Sequence, residues 1–189
     1  MEDSIFLDEP MRDFDLNDYK PKRYSPAVYV TTERKQKAGW PSGMWLDLTS
    51  FDDYDQFIEV CERLHSDESE PEFIVAKHCN FPERYLESTM LYEDEFDEIR
   101  EYDGLSESEK EMLDAYCEWK CEIHADMTVV EEACRGKWSN EEEFCEEMAK
   151  EWFNIPDDLE RYIDYEKMAE DFFFGDFYHD GTFVWDEYC

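Results

Sequence analysis

Strand-like and helix-like patterns of apolar residues alternate over the first part of the chain. Apolar side chains recur every three or four positions across residues 50–65, after a capping-box sequence that begins at Ser50, which predicts a helix. Three segments rich in β-branched and aromatic residues predict strands, the first two of which suit a hairpin with a long loop: residues 27–32, 44–49 and 72–77.

The rest of the chain has mainly helical spacing and is highly charged. Gly104 and Leu105 mark the break between the first two predicted helices, and residues 182–185 suit a terminal strand. The predicted helices are residues 82–100, one that opens with the capping box Ser106-Glu-Ser-Glu109, a short one over residues 129–134, one that opens at Ser139-Asn-Glu-Glu142, and one over residues 159–172.

These elements predict a protein of the α+β class with several small domains. Residues 1–26 are acidic and then basic and contain prolines without a sustained period, so we expect a flexible N-terminal extension. Residues 27–81 are expected to form a small α+β domain with an antiparallel or mixed sheet. Residues 82–136 should form a helical domain, and residues 137–189 a C-terminal α+β domain.

The acidity of the chain excludes some functions. Of 189 residues, 53 are Asp or Glu and 18 are Lys or Arg, so the formal net charge is −35 and the field of the protein repels phosphate. We therefore expect no nucleic acid among its partners. Disordered acidic chains are poor in aromatic residues, whereas Phe, Trp and Tyr make up 17% here, which favours folded domains. A solubilising surface of the halophile type is an alternative that net charge alone does not exclude.

Three features predict a cytoplasmic protein without a membrane partner. The sequence has no run of about 18 apolar residues, and its first ten residues carry acids where a signal peptide has a basic and then an apolar region. The cysteines form an odd-numbered set without the spacing of a disulfide framework, which suits a reducing compartment: Cys61, Cys79, Cys117, Cys121, Cys134, Cys145 and Cys189.

The carboxylates are spread along amphipathic segments and are not gathered in a tail. Many lie three or four residues apart, and each like-charge pair at that spacing costs a helix roughly 0.2–0.5 kcal/mol. A cationic partner would relieve this repulsion, and the net charge corresponds to the phosphates of roughly 17–18 base pairs of B-form DNA. The acids expected to imitate DNA phosphates are Asp52, Asp53, Asp55, Glu59, Glu93, Asp94, Asp97, Glu98, Glu101, Glu107, Glu111, Asp114, Glu118, Glu122, Glu143 and Glu147.

Several segments, in their order and spacing, resemble the ArdA family of antirestriction proteins. The matching segments are Gly43-Met-Trp-Leu-Asp-Leu48 with the acidic helix after it, Cys61-Glu-Arg-Leu-His65, Asp67-Glu-Ser-Glu-Pro-Glu72 and Tyr162-Ile-Asp-Tyr-Glu-Lys-Met-Ala-Glu-Asp171.

The resemblance implies an elongated, curved chain of three small domains, with carboxylates that follow bent B-form DNA and homodimer contacts in the C-terminal domain. It implies inhibition of type I restriction-modification enzymes at their DNA-binding subunit and methyltransferase core, so that mobile DNA escapes cleavage. Such an inhibitor is not an enzyme and needs no catalytic residue, cofactor or metal. The residues that match the antirestriction-motif region are Tyr162, Asp164, Tyr165, Glu166, Glu170 and Asp171.

The chain departs from the family pattern at three places. Residues 1–25 precede the usual start of the family, and residues 31–37 lack the expected tyrosines of the first loop. Residues 76–80 replace an expected acidic stretch, so we exclude them from the DNA-mimicking surface.

The sequence gives only weak indications of a catalytic or a metal-binding site. With so many carboxylates, accidental acid/base pairs are certain, and no single pair indicates a hydrolytic site. Residues 13–17 begin like a calcium loop, but Asp18 stands where the turn needs glycine, and Tyr24 where a bidentate Glu belongs. A possible partial zinc site lies on one helical face, although packing explains it better: Cys117, Cys121 and His124.

A basic protein other than a restriction enzyme is an alternative partner. An acidic inhibitor or chaperone of a repressor or a histone-like protein would use the same charge. Charge does not distinguish among basic targets, whereas stoichiometric competition with duplex DNA does.

Overall fold

A computed structural model describes most of the chain, namely residues 15–39, 42–86 and 88–189. The first fourteen residues of the predicted N-terminal extension lie outside this part. Within it, no helix has both the length and the apolar composition needed to cross a membrane.

The chain divides into two compact units, with the boundary between Gly104 and Leu105. Each unit combines helices with a small antiparallel sheet, so the α+β class is confirmed. The division into three domains stays a prediction.

Three strands form the sheet of the first unit: β1 (Ala27–Thr32), β2 (Met44–Asp47) and β3 (Phe73–Cys79). β1 is central and pairs antiparallel with both neighbours, so the predicted strands and the hairpin are confirmed. The hairpin loop contains a short helix that was not predicted, α1 (Glu33–Lys37). β2 ends two residues before the predicted position, because a 3-10 turn over Leu48–Ser50 follows it.

The next helix, α2 (Tyr54–Leu64), begins later than predicted. The prediction placed the N-cap at Ser50, but Asp53 is the cap, and its Oδ1 accepts a hydrogen bond of 2.8 Å from the amide of Gln56. Ser50 belongs instead to the preceding 3-10 turn. Both residues are of types that cap helices, so composition alone did not decide between them.

The helix predicted from residue 82 onward is wrong in its first half, since α3 covers Glu93–Gly104. A 3-10 turn (Glu83–Tyr85) and an irregular stretch precede it. Tyr85 and Leu91 are fully buried, so this stretch packs against the core along a path that helical periodicity does not reveal. The predicted break after Gly104 is confirmed.

Aromatic rings join α2 to α3 in the core of the first unit. The ring of Phe57 on α2 lies 5.7 Å from that of Phe96 on α3, and Phe51 contacts both rings. All three side chains are at most 2% exposed. Burial of a side chain of this size contributes roughly 1.5–3 kcal/mol, so the cluster holds the two helices together.

Residues 15–26 contact the first sheet. Tyr19 stacks on Phe51 with ring centroids 4.8 Å apart. The carboxylate of Asp47 accepts hydrogen bonds from the amide of Lys22 at 3.1 Å and the hydroxyl of Ser25 at 2.7 Å, and its other oxygen accepts two from Thr49. Burial opposes ionisation of Asp47, but these hydrogen bonds outweigh it and hold the pKa of the carboxyl below its usual value.

A buried ionic group joins α1 to the residues after α2. Lys35 is 5% exposed, and its Nζ lies 2.6 Å from Oδ1 of Asp67, 3.5 Å from Oε1 of Glu68 and 2.9 Å from Nδ1 of His65. Because an ammonium group only donates, Nδ1 of His65 accepts and the imidazole is neutral. Burial, followed by the charge of Lys35, lowers the pKa of His65.

The second unit contains another three-stranded antiparallel sheet: β4 (Cys134–Lys137), β5 (Phe177–His179) and β6 (Phe183–Asp186). β6 is central and confirms the predicted terminal strand. β4 and β5 were not predicted, because both are too short for a clear alternation. Gly136, with φ of +96°, lies inside β4, where the pairing with β6 is irregular.

The helices of the second unit largely follow the prediction. The capping box of Ser106 and Glu109 is confirmed, with both reciprocal hydrogen bonds present. The helix predicted over residues 159–172 is wrong as one element, since it consists of two helices separated by a turn, with Asp164 as the N-cap of the second. The helices are α4 (Glu107–Lys120), α5 (Met127–Ala133), α6 (Glu141–Phe153), α7 (Asp157–Glu160) and α8 (Tyr165–Phe172).

Replacing Asp47 by asparagine is expected to loosen residues 15–26. Loss of the charged acceptor should lower the free energy of unfolding in urea by roughly 1–3 kcal/mol and accelerate hydrogen exchange at the amide of Lys22. The control is Asp18→Asn, an exposed acid in the same segment, which should change neither quantity. Unchanged exchange at Lys22 in the Asp47 variant would contradict the role of this carboxylate.

Neutral His65 should make stability depend on pH. Since its pKa is lower in the folded state, the unfolded state binds more protons, and the free energy of unfolding falls as pH drops below the usual His value of about 6.5. His65→Gln keeps an acceptor for Lys35 but does not titrate. Urea unfolding is measured at pH 7.5 and at pH 5.5, on either side of the usual His pKa of about 6.5. Between these two values, the free energy of unfolding of wild type should fall relative to that of His65→Gln. If the difference in free energy of unfolding between wild type and His65→Gln did not change with pH, His65 would not be neutral in the folded protein.

Candidate functional site

Most of the acids predicted to imitate DNA phosphates lie on the outer faces of helices, and Asp52, Asp53 and Glu122 lie next to a helix end. On α3, for example, Phe96, Ile99 and Tyr102 are buried, and the acids occupy the positions between them. None of the set is buried, and only Glu98 and Asp114 are half-buried. The exposed members are Asp52, Asp53, Asp55, Glu59, Glu93, Asp94, Asp97, Glu101, Glu107, Glu111, Glu118, Glu122, Glu143 and Glu147.

Helix stability accounts for some of these acids but not for others. Glu93 and Asp94 lie in the first turn of α3 and Glu107 in that of α4, where the helix dipole favours a carboxylate by about 0.3–1 kcal/mol. Glu101 lies in the last turn of α3 and Glu122 just beyond α4, at the negative ends of the dipoles. A carboxylate is disfavoured there, so local stability does not explain these two acids.

Most of the exposed acids are not neutralised by bases of the same chain. Surface ion pairs contribute only about 0–1 kcal/mol and are screened by salt. In the part of the chain that the structure describes, the other exposed members make no ion pair, so their charge is available to an external cation. The ion pairs made by exposed members are Glu59 with Arg63, Glu107 with Lys110, and Glu111 with Lys137.

Each unit carries its own part of the acidic set. In the first unit, Nη1 of Arg100 on α3 donates a hydrogen bond of 3.3 Å to the carbonyl of Asp52. The acids at the start of α2 and those of α3 therefore lie near one another, although they are about forty residues apart in sequence. In the second unit, the acids lie on α4 and α6 and just beyond α4.

The predicted antirestriction-motif region falls on a turn and on α8. Tyr162 lies in the turn after α7 and is strongly exposed. Asp164 caps α8, with its carboxylate accepting a hydrogen bond of 3.1 Å from the amide of Lys167. The other members lie on α8, with the acids exposed and the tyrosine half-buried: Glu166, Glu170, Asp171 and Tyr165.

Exposed apolar side chains lie at the end of α6 and around α8, beside the motif region. The rings of Trp152 and Phe153 contact that of Phe172 on α8. Lys150 links α6 to α7, because its Nζ lies 3.0 Å from Glu160 and 3.3 Å from Glu146. Sequence reasoning missed this surface, since aromatic residues at helical spacing are usually core residues. The apolar surface consists of Trp152, Phe153, Leu159, Tyr162 and Phe174.

The possible zinc site is not assembled. Cys117 is buried, whereas Cys121 is exposed and ends α4 in a left-handed conformation with φ of +57°. No group of three or more His, Cys, Asp or Glu side chains among residues 15–39, 42–86 and 88–189 is placed to hold a metal ion.

A comparison with protein families matches residues 28–184 to the antirestriction protein family ArdA. A search of curated proteins returned no match. The matched range begins with β1 and ends within β6, so it includes the acidic helices of both units and the motif region on α8. Since the match covers most of the chain, this protein belongs to the ArdA family of antirestriction proteins.

Proposed function

We propose that this protein inhibits type I restriction-modification enzymes by imitating B-form DNA. Its carboxylates bind in place of phosphates at the DNA-binding subunit and the methyltransferase core. The observation that carries the proposal is the set of exposed and largely uncompensated acids on the helices of an antirestriction family member.

Charge supplies the driving force for this competition. A groove that binds DNA through Lys and Arg releases counterions when fixed negative charges enter it. The helix backbone that carries the exposed carboxylates is ordered before binding, so less conformational entropy is lost than by a flexible acidic chain. The like-charge repulsion along the helices is relieved in the complex, which favours binding further.

The three predicted domains each contribute to the proposed surface. Residues 27–81 supply the acids around α2, residues 82–136 those of α3 and α4, and residues 137–189 those of α6. We propose that these carboxylates act together along one DNA-binding site, with no single acid dominating.

The protein acts stoichiometrically, as a homodimer in the cytoplasm, where restriction enzymes meet incoming mobile DNA. It needs no catalytic residue, cofactor or metal, and neither nucleic acid nor a membrane is a partner. The exposed apolar surface beside the motif region supports dimer contacts in the C-terminal domain, because apolar patches of this kind often form interfaces.

Displacement of DNA tests the mechanism directly. The full-length protein is titrated into a type I restriction enzyme bound to a labelled duplex, at two salt concentrations. We expect stoichiometric displacement that weakens as salt rises, because counterion release drives binding. No displacement across several such enzymes would contradict the proposal and direct pull-downs towards a repressor or a histone-like protein.

Neutralising the acids of α3 should weaken inhibition and its salt dependence. The variant carries Glu93→Gln, Asp94→Asn, Asp97→Asn and Glu101→Gln, and we expect weakening on the order of tenfold or more, with a shallower salt slope. Any one of these changes alone should have little effect. The charge-matched control carries Glu131→Gln, Glu132→Gln, Glu151→Gln and Glu187→Gln, all exposed and outside the proposed surface.

If the two quadruple variants weakened inhibition equally, the net charge of the protein would matter and the position of the acids would not. Loss of inhibition on changing one acid, with fold and dimer intact, would mean that a discrete site replaces the distributed surface.

Polar substitutions on the apolar surface should dissociate the dimer. Phe174 is 92% exposed, and the double variant Phe153→Ser with Phe174→Ser should shift the sedimentation coefficient to that of a monomer. Tyr24→Ser, which changes an exposed aromatic residue of the first unit, is the control and should remain dimeric. A dimer that persists in the double variant would place the interface elsewhere.

A further inference from the structure

A cleft in the second unit has a composition unlike that of the surrounding acidic surface. It lies between α4 and the hairpin of β5 and β6 and has a volume of about 440 Å³. One wall is a single face of α4, with residues at positions i, i+4, i+7 and i+8, and the other wall is the hairpin. The lining residues are Glu111, Ala115, Glu118 and Trp119 from α4, and Tyr178, Asp180, Thr182 and Phe183 from the hairpin.

Aromatic rings form the apolar part of the cleft. Trp119 stacks on Tyr178 with ring centroids 5.5 Å apart and an interplanar angle of 11°, and on Trp185 at 5.7 Å and 23°. Trp185 is fully buried and anchors the stack to the core, whereas Tyr178 is 39% exposed. The rings are therefore fixed in position before any ligand enters.

The carboxylates of the cleft differ in what they bind. Both carboxylate oxygens of Asp180 accept hydrogen bonds within the hairpin. The donors, each at 2.8 Å, are the amides of Thr182 and Phe183 and the indole of Trp185. Glu111 pairs with Lys137 at 2.5 Å. Glu118 is exposed and makes no ion pair within the described residues, so its charge beside Trp119 is uncompensated.

The chain's own lysines already lie on these rings. Nζ of Lys120 is 3.7 Å from the ring centroid of Trp119, and Nζ of Lys137 is 5.0 Å from that of Phe183. A cation over an aromatic face is attracted by the ring quadrupole. Two of the rings that line the cleft therefore already attract a cation, although neither lysine is among the lining residues.

We propose that this cleft binds the guanidinium group of an arginine side chain from the protein's partner. A guanidinium is planar and weakly hydrated, so it stacks on Trp and Tyr rings while it donates two hydrogen bonds to one carboxylate. Glu118 is that carboxylate, and the ring of Tyr178, which is 39% exposed, supplies the stacking face beside Trp119. Lys137 moves away from Glu111 as the arginine enters, which opens a second acceptor.

The identity of the partner as a restriction enzyme rests on the proposed function, but the cleft does not. A DNA phosphate offers an arginine no aromatic face, so binding here gives the partner a contact that a phosphate does not supply. The cleft thus adds one strong, localised contact to an otherwise distributed surface, as a fixed aromatic anchor does in other interfaces.

Binding of a small arginine probe to the full-length protein tests the cleft without any enzyme. N-acetyl-arginine methylamide is titrated in NMR experiments, and the citrulline analogue, which has the same shape without charge, is the control probe. We expect saturable shifts confined to the residues that line the cleft. Glu118→Gln should weaken binding on the order of fivefold to tenfold, and Lys137→Gln should strengthen it by freeing Glu111.

The matched control is Glu147→Gln, which removes one exposed, unpaired carboxylate on α6 and should leave binding of the probe unchanged. Shifts spread over the acidic surface, equal binding of the citrulline analogue, or equal effects of Glu118→Gln and Glu147→Gln would overturn the inference. The same two variants in the DNA-displacement assay separate the proposals. Suppose that wild type displaces DNA, and that Glu118→Gln and Glu147→Gln show equal displacement and equal binding of the probe. The arginine site in the cleft would then be wrong, whereas the DNA-mimic mechanism would still hold.

Discussion

Burial of aromatic side chains in each unit has to outweigh the mutual repulsion of the carboxylates around it. In the first unit, Phe57 and Phe96 hold α2 and α3 together although both helices carry acids on their outer faces. In the second, Phe144 and Trp185 are fully buried and anchor helices to the sheet. With a net charge of −35, this apolar contact is what keeps the acidic faces in fixed positions. A flexible acidic chain of equal charge would lose more entropy on binding.

Carboxylates perform two different tasks in this molecule. Asp47 and Asp180 are surrounded by hydrogen-bond donors and hold a chain segment or a hairpin in place. The exposed acids on the helices have few such partners and contribute little to stability. Glu101 and Glu122 even lie where the helix dipole disfavours them. The proposed cationic partner accounts for such acids, which agrees with the antirestriction family of the chain.

In the proposed inhibitor, the distributed charge and the localised cleft have different roles. Long-range attraction between many acids and a basic groove speeds encounter but distinguishes poorly between basic partners. The proposed arginine site at the aromatic cleft of Trp119, Tyr178 and Glu118 would add a contact that depends on position. In the proposed mechanism, the combination gives fast competition with DNA together with a defined orientation on the target.

Local patterns determined much of the fold and most of the acidic surface. The strand at residues 27–32 follows from its β-branched and aromatic residues, and the capping box at Ser106 follows from a four-residue motif. The outward position of the helix acids follows from the helical period of 3.6 residues. All three signals act between neighbours in the sequence. The contacts made by residues 15–26, the start of α3, the short strands β4 and β5 and the aromatic cleft were decided by the tertiary structure. Each depends on partners far apart in sequence, as Lys22 and Asp47 or Trp119 and Tyr178 are, and no local spacing records such a pairing.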